Sequence, residues 1–166
     1  MNPAIQASGG TNDFDFLFGK WRMHHRRLRE RLRGSQQWDE YDGTGETVPL
    51  PEGLGNREEV RFDYGGPVTG LSFRFYDHDT RQWAIYWIDS RRRVLDRPVL
   101  GSFVGDTAVF LGEDTWEGTP IVMRFVWSRV QSGKPRWEQA FSTDAGRTWE
   151  TNWVIDLEPA EAGGPQ

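Results

Sequence analysis

Several segments of this chain alternate apolar and other side chains residue by residue, and that period-two pattern most restricts the fold. In PIVMRFVWS, Ile121, Met123, Phe125 and Trp127 share one face, and Val122, Arg124 and Val126 share the other. LSFRFYD sets Leu71, Phe73 and Phe75 against Ser72, Arg74 and Tyr76. RTWETNWVIDL sets Trp149, Thr151, Trp153, Ile155 and Leu157 against Glu150, Asn152, Val154 and Asp156. Successive side chains of an extended strand point to opposite sides, so this spacing marks strands rather than helices. Turn-forming stretches such as DHDTRQ, GEDTWEGTP and QSGKP separate the runs. The spacing predicts roughly ten strands of an all-β antiparallel barrel or sandwich. They fall near 19–31, 36–48, 56–64, 68–77, 82–89, 97–104, 107–113, 119–130, 135–143 and 147–157.

One segment fits two readings. Phe14, Leu17, Trp21, Leu28 and Leu32 lie near helical spacing with arginines between them, which suits a basic amphipathic helix over 14–33. Gly19 would weaken the middle of that helix by about 1 kcal/mol. The preferred reading is a short helical turn at 13–18 and a strand from Gly19. Residues 1–12 and 159–166 read as flexible tails around one domain, 13–158.

Composition narrows the function. The chain has 166 residues, nine of them Trp, and no Cys. It can bury a proper core, and disulfide and thiolate chemistry are excluded. A net charge of −5 argues against a nucleic-acid partner. No apolar run approaches the ~20 residues that cross a bilayer, so no membrane association is expected. The N-terminus lacks the charged start and apolar run of a signal peptide, and the expected location is the cytoplasm.

The stretch FSTDAGRTWE contains S-x-D-x-G-x-T-W, the Asp-box signature known from sialidases and other β-propellers. A propeller blade takes ~40–50 residues and repeats its motif. This chain is too short for such a propeller and has a single copy. The motif therefore reads as a hairpin between the last two strands. Asp144 accepts backbone N–H groups there and Gly146 supplies a positive φ.

FDFLFGKWRMHHRRL places Gly19-Lys20-Trp21 at the start of the first strand. This resembles the G-x-W opening of the calycin superfamily, which includes lipocalins and fatty-acid-binding proteins. More closely, FGKW, HHRRL, GLGN, IYWID, RWEQAFSTDAGRTWE and TNW are similar to a bacterial family of uncharacterised calycin-like β-barrels. The resemblance covers most of 14–158 and implies an up-and-down barrel of about ten strands whose interior holds side chains or one small ligand. The last strand lacks the lipocalin Arg that packs on the G-x-W Trp. The only histidines are His24, His25 and His78, so a late-chain His like the haem ligand of nitrobindin-type barrels is missing. No cofactor is expected.

Candidate chemistry centres on His24 and His25, which point to opposite faces of a strand. If Trp21 faces inward, Met23, His25 and Arg27 share its side. An inward imidazole suits acid–base work near neutral pH, oriented by Glu59, Asp89 or Glu138. The alternative is a structural or surface His. The basic run RMHHRRLRERLR suits an anionic ligand or a surface partner. It equally suits a solvated face paired with the acids of WDEYDGTGE and GNREE. Arg74, Arg124, Glu138 and Asn152 sit in otherwise apolar strands, so each is paired, exposed or functional. Tyr86, Trp87 and Asp89 can line a site as donor, wall and acceptor. Asp77-His78-Asp79 has metal-binding residue types but the position of a hairpin tip, and no metal site is expected. GTG at 43–45 lacks the strand–turn–helix setting of a nucleotide loop.

The expected function is binding of a small apolar or aromatic molecule inside the barrel. The first alternative is a cofactor-independent lyase, isomerase, cyclase or hydratase with His25, assisted by Glu138, as acid and base. The second is an interaction module built on the Arg-rich strand. A homodimer is an open option for the assembly.

Overall fold

Alternation closes this chain into a sheet without edges. The computed structural model describes residues 9–160; residues 1–8 and 161–166 of the expected tails lie outside them. The strands are β1 Gly19–Leu28, β2 Trp38–Pro49, β3 Gly55–Asp63, β4 Pro67–Asp77, β5 Gln82–Asp89, β6 Val99–Val104, β7 Thr107–Trp116, β8 Thr119–Ser128, β9 Arg136–Ser142 and β10 Glu150–Pro159. Each pairs antiparallel with its sequence neighbour, and β1 pairs with β10 to close the barrel. The 14–33 segment resolves as a 3-10 turn at Asp15–Leu17 followed by β1, not as a basic helix.

That turn closes one end. Phe14 and Leu17 are buried under the barrel with Trp83, Phe103 and Phe110. Phe14 meets Trp83 and Phe103 edge-on, at 4.8 Å between centroids in each case. Two indoles tie the turn down. Trp21 Nε1 donates to the Leu17 carbonyl (2.7 Å), and Trp83 Nε1 donates to Asp13 Oδ2 (3.0 Å). The G-x-W tryptophan thus faces inward, and Met23 and His25 follow it to the inside.

The GTG stretch has a packing role. Gly43 and Gly45 of β2 lie opposite Met23 and Trp21. A Cβ on Gly43 would sit 3.1 Å from His25 Nε2, and one on Gly45 would strike the Met23 side chain. The absent side chains leave room for residues of β1 on the inner face.

The outer face of β1 is the solvated one. His24 pairs with Asp42 (2.8 Å) and Glu40 (3.4 Å), and these carboxylates raise its pKa against a smaller opposing effect of burial. Just beyond β1, Arg29 pairs with Asp39. Asp77-His78-Asp79 is a turn, with Asp77 Oδ1 accepting the N–H groups of Asp79 and Thr80. Phe75, Leu100, Val109 and Leu111 are exposed apolar residues on the outside of β4, β6 and β7.

The Asp-box forms the β9–β10 hairpin. Asp144 Oδ1 accepts the N–H groups of Arg147 (3.1 Å) and Thr148 (2.8 Å), and Oδ2 accepts the Thr148 hydroxyl (2.6 Å). These bonds, led by the Thr148 hydroxyl, hold its carboxyl down to about 2. Gly146 sits at φ +86° with its N–H on Ser142 Oγ (2.8 Å). Gly146→Val puts a β-branched residue in that region and lowers stability by about 1–3 kcal/mol. Thermal melts read the loss, while binding in the distant interior stays as in the parent. Normal melting with lost binding would refute this.

Candidate functional site

The barrel interior above the Phe14 plug holds a cavity of about 400 Å³. Its walls are built by alternation: Met123, Phe125 and Trp127 come from β8, Trp137 and Phe141 from β9, Trp153 from β10. Trp153 stands perpendicular to Trp137 (5.4 Å, 88°) and to Trp87 (6.3 Å, 88°), so flat indole faces enclose the space.

The floor is polar. Arg74 lies in the cavity wall at 2 % exposure. Its Nη2 donates to Glu58 Oε1 (2.8 Å) and its Nη1 to Asn56 Oδ1 (2.9 Å). Thr47 Oγ1 donates to the other Glu58 oxygen (3.2 Å). The guanidinium carbon rests 4.9 Å from the Phe14 ring centroid and 5.8 Å from Trp127, and Arg74 Nε has no protein partner. A buried charge needs a partner and hydrogen bonds, and Arg74 has both on two of its three nitrogens.

The mouth carries two further arginines. Arg27, on β1, lies between the rings of Tyr64 (4.9 Å) and Trp153 (4.7 Å). Arg31, just past β1, lies between Trp116 (5.1 Å) and Phe141 (5.5 Å) at 8 % exposure. Burial first, and the neighbouring Arg27 charge second, push its pKa down to about 9. Acids of β5, β7 and the loop after β5 line the mouth as well: Asp89, Asp96 and Asp114. Burial raises the Asp96 pKa although Arg92 lies 3.0 Å away.

Four of the expected ligand residues line this cavity: Arg27, Arg74, Trp87 and Asp89. Five others point out of it, and strand phase is the reason in each case. His24 is outside because Met23 and His25 face in, and Glu59 because Glu58 and Val60 do. Ile85 and Trp87 put Tyr86 outside, where it meets Phe75. Met123 and Phe125 put Arg124 outside, under the Trp149 ring at 4.2 Å. Trp137 and Gln139 put Glu138 outside. These corrections remove Glu138 from His25, since the two take opposite sides of the barrel wall.

His25 and Asn152 are inside but belong to the wall. His25 is fully buried, stacked on Tyr41 (4.7 Å between centroids) and tilted against Phe62. Its Nδ1 accepts the Trp153 indole N–H (3.1 Å), which leaves the proton on Nε2. Burial pushes its pKa down to about 3. The ring is therefore neutral through the physiological range, and this weighs against the acid–base role. Asn152 sits at a bulge between Thr151 and Trp153, its Oδ1 accepting from Gln139 Nε2 (2.9 Å).

Sequence reasoning did not single out Arg31, Glu58, Trp116 or Gln139. The alternation that placed Arg74 inside the sheet placed Glu58 across from Ser72, one rung away on the neighbouring strand. An in-register reading of β3 against β4 carried that signal.

No helix of the described residues is long and apolar enough to cross a membrane. No family model matches the sequence, and no curated protein matches it. Among solved structures, the chain is similar to the crystal structure of Rv2717c from M. tuberculosis, with a TM-score of 0.59 at 9% identity, over 92% of this chain and 98% of that one. Similarity at this identity speaks for a shared barrel fold.

Proposed function

We propose that this protein is a calycin-type barrel that binds one small, largely apolar molecule in its interior. The observation that carries this reading is the indole-walled cavity of about 400 Å³. It falls within the roughly 300–1,000 Å³ of small-molecule sites, which are mostly apolar with a few placed polar groups. Arg74 and Glu58 at the floor and Arg27 and Arg31 at the mouth are such groups.

The test is binding of a neutral apolar dye, N-phenyl-1-naphthylamine, followed by its fluorescence. Ser72 lines the cavity and is buried. Ser72→Trp places an indole in the space and weakens dye binding about tenfold or more, because the ligand and the new ring compete for one volume. Absence of dye binding to the parent protein overturns the reading.

A further inference from the structure

The cavity mouth presents hydrogen-bond donors that lack an acceptor. Arg31 is more than nine-tenths buried, and its Nη2 has no partner. Trp116 Nε1, on the ring against which Arg31 packs, is also buried and unpartnered. Among the described residues, neither Arg27 nor Arg31 forms an ion pair. Two cations close enough to disfavour each other's charge are thus held in one wall, and the nearby Glu150 carboxylate accepts the Leu32 N–H rather than a guanidinium. Aromatic faces support both guanidinium planes and hold them in place. A buried donor without an acceptor is costly, and the charge of the half-buried Arg27 beside it adds to that cost. A bound anion would supply the missing acceptor and offset both positive charges.

We propose that the mouth is an oxyanion subsite, in which Arg27, Arg31 and the Trp116 N–H take the carboxylate or sulfonate of a ligand whose aromatic body lies among the indoles below. The inference rests on the binding reading above and names its ligand class. Arginine forks match oxyanions with two parallel bonds, and such charge-assisted bonds are about twice as strong as neutral ones. Asp89, Asp96, Asp114 and Glu117 line the same cavity, with Asp96 paired to Arg92 and Glu117 to Arg33; an anion is drawn to Arg27 and Arg31, the lining arginines without such a partner. The floor argues for a compact aromatic body. A long alkyl tail would end against the Arg74–Glu58 pair, whereas a ring system fills the space between the indoles and stops short of it.

The experiment compares two dyes with one aromatic body, N-phenyl-1-naphthylamine and 8-anilinonaphthalene-1-sulfonate, which adds only the anion. The parent protein binds the sulfonate about tenfold more tightly or better. The net charge of −5 disfavours anions generally, so a preference reports a local site. Arg31→Met and Arg27→Met keep the stems over the rings and lose that preference, the ratio of the two affinities falling toward one. Ser72→Trp weakens both dyes. Equal affinity of the parent for the two dyes overturns the subsite and leaves the binding reading intact, a comparison that needs no variant to fold. Equal losses of both dyes in the arginine variants overturn it too. So does a sulfonate signal that survives Ser72→Trp, since that dye sits on the outer apolar face. Failure of the neutral dye to bind the parent removes the binding reading itself and the subsite with it.

Discussion

Arg74→Met lowers the unfolding free energy by about 3–5 kcal/mol, because it leaves Glu58 buried without its cation. In a domain of this size that is a fall of roughly 10 °C in melting temperature. Glu58 keeps one bond, from the Thr47 hydroxyl at 3.2 Å, and a single neutral donor does not balance a buried carboxylate. The informative comparison is the double variant Arg74→Met with Glu58→Leu. It removes both charges, fills similar volume with apolar atoms, and loses well under the sum of the two single losses, since the penalty of an isolated charge is gone. The pair is then a device for placing polar groups at the cavity floor at modest net stability. Chemical denaturation of the parent, both single variants and the double variant measures this cycle. Additive losses, or a single variant that melts within about 1 °C of the parent, would show that water or a rearranged side chain solvates the floor.

The barrel was legible in the sequence because alternation is a local property of the chain. All the expected strands form, and most bounds move by a few residues at most. The side each strand presents was harder. In β8 the apolar residues Ile121, Met123, Phe125 and Trp127 face in, as their apolarity suggests. In β4 the apolar set Leu71, Phe73 and Phe75 faces out, while Ser72 and Arg74 face in. A barrel with a polar floor and an apolar outer stripe inverts the usual rule, and only the register against β3, where Glu58 waits for Arg74, sets the phase. Trp21 served better: its face correctly carried Met23, His25 and Arg27 inward. Arg31 falls inside the expected strand 19–31, on the face of Trp21, but stood there only as part of the basic run; β1 ends at Leu28, and the segment after it brings Arg31 to the mouth. Trp116 escaped notice because β7 runs three residues past its expected end at 113. Asn152 marks a bulge, which shifts the phase of β10 at a point the alternation passes over. The mouth thus depends on strand ends and loops, the least periodic parts of the chain.

Phe14→Ala is the second large loss, about 3–5 kcal/mol, the usual cost of truncating a fully buried Phe. The residue is 1 % exposed. It sits outside every strand, in the short helical turn expected at 13–18. Its ring fills the closed end of the barrel against Trp83 and Phe103 and underlies the Arg74 guanidinium. Removing it deletes three edge-to-face contacts, with Trp83, Phe103 and Trp127, and opens a void beneath a buried ion pair, so its neighbours cannot simply collapse. Phe16 packs on the same cluster but is only partly buried, and Phe16→Ala costs clearly less. The contrast separates a plug from a loose end. If 13–18 were a frayed terminus, both variants would melt within about 1 °C of the parent. If the turn is the floor of the barrel, Phe14→Ala also perturbs the near-ultraviolet signal of Trp83 while far-ultraviolet strand content persists. Full retention of both signals together with an unchanged melting temperature would remove the turn from the fold's core and leave the cavity open at that end.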